Sequence, residues 1–450
     1  MKMYSSPQPV ELYLDRELEC SCGRTHYVDI KDVLIGPGAI KKLPEFVKKH
    51  GYSRPYIICD EITYQIAGKH CEELLSEAGI ASVPHIIGHM GFDEATLGEL
   101  VINMPSDCDL WVAVGTGSIT DMVRYATFKL RLPCFTLATG APMDGFAASI
   151  GVMNVNNLKA TMEAHNTEVI IGDTDILKGA PYRMTVAGFG DLIGKISSIN
   201  DWELSRIINE EHFCRPIAEL VQDCVSEILG KSEQVREKNP ETFGEIMRGL
   251  VLSGVAISLY GNSRPASGAE HHMSHFWETL GDLKGKQFAM HGEQVAVSTV
   301  LMLMLAKELS EFDVDFNAAR AKAKLYDEKM WQENVRCVYG DAAGEILAIE
   351  AKAQKNSAEN VLKRIGSIER NWDAIIKQLR SLPPASELID SLHLIGCPAL
   401  PKEINVDNEL LKSTFLYAKE TRARYTLLQM AYDLGVLEEL ADKVIANLGA

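Results

Sequence analysis

V-A-V-G-T-G-S-I-T-D, Val112 to Asp121, decides how the first third of this chain is read. An apolar strand runs into Gly115-Thr116-Gly117-Ser118 and then into a helical pattern, so a helix N-terminus and its unpaired N–H groups meet at one point. Such a point suits a pyrophosphate, because helix dipole and open donors both favour anions. The segment lacks the third glycine of the six-residue dinucleotide fingerprint, so a plain tight strand-to-helix turn stays open beside that reading.

Outward from it, the same rhythm repeats. Asp32 to Gly36, Pro55 to Asp60, Pro84 to Gly88, Asp109 to Gly115 and Pro133 to Thr139 read as strands, with amphipathic segments such as Ala39 to Lys49 and Gln65 to Ala78 between them. Short apolar runs alternating with helical patterns predict a parallel, Rossmann-like α/β sheet wound with helices on both faces. Ligands of such sheets bind at the carboxyl ends of the strands. After the further strand-like stretches Lys159 to Glu163 and Val169 to Gly172, the pattern is helical to the end. The expected division is therefore an α/β nucleotide-binding domain over 1–180, an all-α domain over 181–450 that binds metal and substrate, and a cleft between them, with the boundary near Gly179-Ala180-Pro181.

The 450 residues have room for two or three domains and a sizeable core. With 45 basic against 62 acidic residues the net charge is −17, which argues against nucleic acid or an anionic membrane surface as partner. If the substrate is an anion, a local cation must overrule that field. The apolar stretch Val295 to Ala306 is too short to span a bilayer and reads as a buried helix. MKMYSSPQPVELYLDRELEC shows no charged-then-apolar leader pattern, and ten dilute cysteines do not make a disulfide scaffold. The expectation is a cytoplasmic protein with reduced thiols and no membrane insertion.

Residues that follow the strands come next. Asp60 is placed either to accept hydrogen bonds from an adenosine ribose or to cap a helix. T-G-A-P-M-D-G-F, Thr139 to Phe146, fixes a loop at the sheet edge from which Asp144 projects, either lining the cleft or making a local Asx-turn. In the helical part, E-H-H-M-S-H-F-W-E and M-H-G-E-Q gather His271, His272, His275 and His291. His271 and His275 share a helical face, while His272 points roughly 100° away. Upstream, G-F-G-D-L-I-G-K sets Asp191 and Lys195 at the same spacing. Two imidazoles and a carboxylate make a common first shell for a catalytic divalent ion; solvated helix faces or buried hydrogen-bonded histidines are the plainer alternative. C-S-C-G-R-T-H, with Cys20, Cys22 and His26, has metal-type residues, but its one-residue gap is narrower than the usual two to four and no second cysteine pair follows.

Together, V-G-T-G-S-I-T-D, T-G-A-P-M-D-G, G-F-G-D-L-I-G-K, R-P-A-S-G-A-E-H-H-M-S-H and H-G-E-Q resemble the glycerol-1-phosphate dehydrogenases, above all their bacterial branch. K-E-T-R-A-R-Y-T-L-L, Lys419 to Leu428, extends the likeness to the C-terminal region. These enzymes group with the iron-containing alcohol dehydrogenases, glycerol dehydrogenase and dehydroquinate synthase. The resemblance implies metal ligands at Asp191, His271 and His291 and substrate contacts at Asp144, Asp191 and His275. It implies NAD(H) or NADP(H) held by Asp60, Gly115, Thr116, Gly117, Ser118, Asp121, Thr139, Gly140, Ala141 and Pro142. Ala148 stands where the family usually has a cofactor-contacting Ser, so Ser149 is the expected substitute, and Arg124 replaces a lysine of the wider superfamily. The implied reaction is reduction of dihydroxyacetone phosphate to sn-glycerol 1-phosphate, with zinc, nickel or ferrous iron as Lewis acid and a homodimeric assembly. Sequence proximity offers Lys195 and Arg264 as cations for the phosphate. A polyol dehydrogenase on an unphosphorylated substrate, a dehydroquinate-synthase-like lyase and a non-catalytic binding protein are the alternatives.

Overall fold

A computed structural model describes residues 9–89, 91–155, 158–286 and 288–448. The first eight residues of the N-terminal stretch examined for a leader lie outside the described residues. The chain divides into two compact units, one taking the described residues up to Leu192 together with Arg215–Ser263, the other Ile193–Cys214 together with the described residues from Arg264 onward.

The first unit is built on strands β1 (Asp32–Gly36), β2 (Pro55–Cys59), β3 (Val83–Ile86), β4 (Leu110–Gly115) and β5 (Cys134–Ala138), the hairpin β6 (Ile150–Val155) and β7 (Leu158–Glu163), and β8 (Val169–Asp173). Six of them form one parallel sheet in the order β1-β8-β5-β4-β2-β3. Strands β2, β4 and β5 are buried end to end because helices cover both faces. Side-chain alternation divides them: Ile57, Val112, Val114, Phe135 and Leu137 pack in one core with Phe46 and Leu75, and Ile58, Trp111, Ala113 and Cys134 in the other with Leu100 and Met122. The strand-like stretch at 159–163 does not join this sheet. It pairs antiparallel with Ile150–Val155, whose alternation was not singled out.

The boundary differs from the single cut expected near Pro181, for a steric reason. A Cβ on Gly188 of helix Tyr182–Asn209 would lie 2.0 Å from the carbonyl oxygen of Ala141, and one on Gly254 of helix Pro240–Tyr260 would lie 2.7 Å from that of Asp144. Glycine at both places lets these helices pack directly on the loop after β5, so helix Pro240–Tyr260 and the part of helix Tyr182–Asn209 up to Leu192 belong to the sheet unit. Helix Pro240–Tyr260 is long and apolar enough to cross a membrane, yet 83% of its apolar window is buried inside the fold.

The second unit is helical among its described residues. Its centre is helix His291–Ser310, buried along most of its length, including Val295–Ala306. Helix Ala269–Lys284, which carries three of the clustered histidines, packs alongside it.

Candidate active site

In the first unit β5, β4 and β2 are neighbours, with Gly115 level with Ala138 and Ile58 level with Ala113. Parallel direction therefore brings Thr139–Pro142, Gly115–Ser118 and Asp60 to one carboxyl edge. Thr116 is extended and precedes helix Gly117–Leu130, its side chain making no capping bond. Gly115 admits the side chain of Ile119, which a Cβ there would meet at 2.7 Å. Thr139, Gly140 and Ala141 are buried, Gly117 and Pro142 half-buried, and Ser118 exposed. Asp60 caps the short helix that follows: its Oδ1 accepts from Thr63 N–H at 2.7 Å, while Thr63 Oγ1 accepts from Asp60 N–H at 2.9 Å.

Asp121 is engaged within the fold. Its carboxylate pairs with buried Arg124 and accepts from Val152 N–H at 2.8 Å, and Arg124 also donates to the carbonyl of Ala148. These residues join the helix after β4 to the hairpin. Burial raises the Asp121 carboxyl above its ordinary range, with Arg124 and the Val152 amide opposing. Ser149 opens the hairpin, its carbonyl accepting from Ala164 N–H at 3.1 Å. On the loop after β5, Asp144 N–H donates to Asp191 Oδ2 at 2.8 Å, and Ser253 Oγ donates to Asp144 Oδ2 at 2.8 Å. The two aspartates expected at the substrate are thus linked.

In the second unit the histidine rings of 271, 275 and 291 gather, with centroid separations of 6.1 Å (His271 to His275), 5.2 Å (His271 to His291) and 5.5 Å (His275 to His291). Each Nδ1 faces a carboxylate: His271 meets Glu270 Oε1 at 2.8 Å, His275 meets Glu278 Oε2 at 3.1 Å, and His291 meets Glu278 Oε1 at 3.1 Å. A carboxylate on Nδ1 holds the proton there and leaves Nε2 as a lone-pair donor, which is the arrangement of metal-ligating imidazoles. The donor set therefore fits a divalent ion. Burial pushes His275 down to about 4, with the charges of Arg422 and His291 helping and Glu278 opposing. His272 points elsewhere, fully buried, and desolvation followed by the charge of Arg424 holds it neutral.

Glu270, Glu278, Asp201 and Arg422 were not singled out from sequence. Glu278 lies three residues after His275, a spacing that signals helical contact; Asp201 gave no local sign. Asp201 accepts the N–H of Ala269 and that of Leu427, both at 2.7 Å, and so fastens the start of the histidine helix. Gly268 beside it has no room for a side chain, since a Cβ would lie 2.6 Å from Asp201 Oδ2.

Both cations expected at the phosphate are buried. Arg264 is 1% exposed and binds Glu211 at 2.8 Å and the carbonyl of Tyr425 at 2.9 Å, so its guanidinium is engaged in the packing of the second unit. Lys195 is 0% exposed. Arg422, in the C-terminal segment, is the cation whose charge bears on both His275 and Glu278.

The family model described as iron-containing alcohol dehydrogenase matches residues 34–181, within the sheet unit. Glycerol dehydrogenase from Schizosaccharomyces pombe shares the fold at TM-score 0.61 and 15% identity over 94% of this chain and 92% of that one. A probable glycerol dehydrogenase from Sinorhizobium meliloti does so at 0.62 and 13%, over 93% and 98%. Within this class, a glycerol-1-phosphate dehydrogenase [NAD(P)+] from Bacillus licheniformis is 28% identical over 94% of both chains. One from Bacillus velezensis is 33% identical over 68% of this chain and 78% of its own. The chain belongs to the glycerol-1-phosphate dehydrogenase family.

Proposed function

We propose that this protein reduces dihydroxyacetone phosphate to sn-glycerol 1-phosphate, reversibly, with NADH or NADPH as hydride donor. The substrate reading is supported by the names of the relatives it matches over most of its length. The chemistry is supported by one observation above others: three imidazoles whose Nδ1 atoms face carboxylates.

His271, His291 and Asp191 would hold one divalent ion, zinc, nickel or iron. Helix geometry supports adding Asp191: it precedes Gly194 by three residues, about one turn, and a Cβ on Gly194 would lie 3.8 Å from His271 Cε1. Bound there, the ion supplies a Lewis acid for the substrate's carbonyl oxygen. His275, neutral at working pH and hydrogen-bonded to Glu278, holds or hands on a proton at Nε2. Asp144, fixed by Ser253, accepts a substrate hydroxyl. Lys195 and Arg422 are the cations assigned to the phosphate. The glycine edge Gly115–Ser118 with Thr139–Pro142 takes the pyrophosphate of the cofactor, and Asp60 its ribose through the carboxylate oxygen not used in the cap; Ser149 is retained as a lesser cofactor contact. A homodimer in the cytoplasm belongs to the same proposal by family likeness.

A coupled assay with dihydroxyacetone phosphate and NADH, resolving glycerol 1-phosphate from the 3-phosphate, tests it. Stoichiometric NADH loss with the 1-phosphate as product is expected. Faster turnover of unphosphorylated dihydroxyacetone would overturn the substrate; reaction without net NADH loss would overturn the redox chemistry.

A further inference from the structure

The N-terminal ribbon carries a cluster that the reaction does not use. Leu18–Glu19 pairs antiparallel with Thr25–His26, and strands of two residues cannot stand alone. Between them, Cys20 N–H donates to the carbonyl of Arg24 at 3.1 Å, and Gly23, at φ +85°, donates to that of Cys20 at 3.0 Å. The turn gathers both thiols and the His26 ring: one ligand atom of each of Cys20, Cys22 and His26 lies within 4.8 Å of the others. Cys22 Sγ is 3.3 Å from His26 Nε2. Sulfur and nitrogen on one tetrahedral zinc sit ~3.5 Å apart, from bond lengths of about 2.3 and 2.0 Å.

His26 is 3% exposed, and its Nδ1 lies 2.7 Å from the carbonyl oxygen of Leu259. A carbonyl only accepts, so Nδ1 carries the proton and Nε2 turns its lone pair on the thiols. This is the outer hydrogen bond that metal-bound imidazoles make. Leu259 lies in the last turn of helix Pro240–Tyr260, against which helix Arg215–Leu229 packs. A short connection between two such helices makes them antiparallel, so the start of the second lies by the end of the first. There stands Cys214, buried and bonded to Arg215, where a helix N-terminus favours the thiolate.

We propose that Cys20, Cys22, His26 and Cys214 form a structural zinc site that fastens the N-terminal ribbon to this helix pair. The narrow C-x-C gap hides it from motif reading, because its last ligand comes from far along the chain. Binding replaces the three thiol protons, which pass to water, by metal–sulfur bonds without oxidation or reduction.

The test uses the full-length protein with cobalt(II) exchanged for its metals. Of the candidate metal clusters among the described residues only this one contains cysteines, so a thiolate-to-cobalt charge-transfer band of one equivalent is expected in the wild type. It should vanish in Cys22→Ser and Cys214→Ser, while turnover by the metal-loaded variants is retained. Absence of the band from the wild type, which needs no variant to fold, overturns the site, and an unchanged band in Cys214→Ser overturns the four-ligand assignment. Neither result depends on which substrate the enzyme turns over.

Discussion

Replacing Asp201 by Ala tests how the second unit holds its histidines. Asp201 is 0% exposed and accepts the N–H groups of Ala269 and Leu427 at 2.7 Å each. One carboxylate thereby ties the first turn of the histidine helix to the start of helix Leu427–Asp433. Truncation leaves two buried amides without acceptors, at about 1–3 kcal/mol each, hence ~2–6 kcal/mol in all. That is a large part of the ~5–15 kcal/mol by which a domain is ordinarily stable. Urea unfolding of wild type and variant reads the loss directly. A pH series adds a second check, because burial and then the charge of Glu270 push Asp201 up to about 7. An unfolded aspartate titrates near ~3.9. The fold therefore binds this proton more tightly than the unfolded chain, and the resulting stability is fully present below ~4 and lost as pH rises through about 7. The margin of wild type over Asp201→Asn should widen as pH falls from about 8 to about 5. A loss under ~1 kcal/mol for Asp201→Ala, or a margin flat in pH, would refute this account.

Three further outcomes are expected. Glu270→Gln keeps the shape beside His271 Nδ1 but removes the charge, so a divalent ion should be held about tenfold more weakly in chelator competition. Gly188→Ala forces a methyl to 2.0 Å from the Ala141 carbonyl, which is backbone and cannot swing away; it should lower stability by at least ~1–3 kcal/mol and weaken NADH binding in a fluorescence titration by shifting the loop. Asp60→Ala loses a cap worth ~1 kcal/mol, and it should also lower the ratio of kcat/KM for NADH to that for NADPH. If melting shifts and the ratio does not, Asp60 is a cap alone.

The sheet was legible because its evidence is local: each central strand is a short apolar run with helix-period residues on either side, and β2, β4 and β5 lie where those runs lie. The histidine cluster was legible for the same reason, being contained in E-H-H-M-S-H and H-G-E-Q. What escaped was long-range. Asp121 sits in the glycine motif, yet Val152, thirty-one residues on, takes one side of its carboxylate. Arg264 was judged by its distance in sequence from His271, whereas Glu211, fifty-three residues upstream, holds its guanidinium. The contacts of the two long helices were hidden alike: no run of residues announces that Gly188 and Gly254 are contact points, since a glycine's use as a clearance appears only when the facing backbone is in place.

The net charge of −17 raised the question of how an acidic chain could take an anionic substrate. Most buried cations of the second unit do not answer it, because they are paired in place: Lys355 and Lys419 share Glu420, Arg364 binds Asp433 and Arg264 binds Glu211. Around the three histidines stand the carboxyls of Glu270 and Glu278 and the charge of Arg422. That balance leans negative, so it attracts a cation first and repels a phosphate until one is bound. Chelation should therefore raise the dissociation constant for dihydroxyacetone phosphate more than for dihydroxyacetone, measured by calorimetry without cofactor turnover. Like-charge repulsion near ~6 Å at an effective dielectric of about 20 is ~3 kcal/mol before screening, so a difference of at least tenfold is expected. Equal weakening of both ligands would mean that the phosphate is held by fixed side-chain cations alone, and that the two glutamates exert no net field on it.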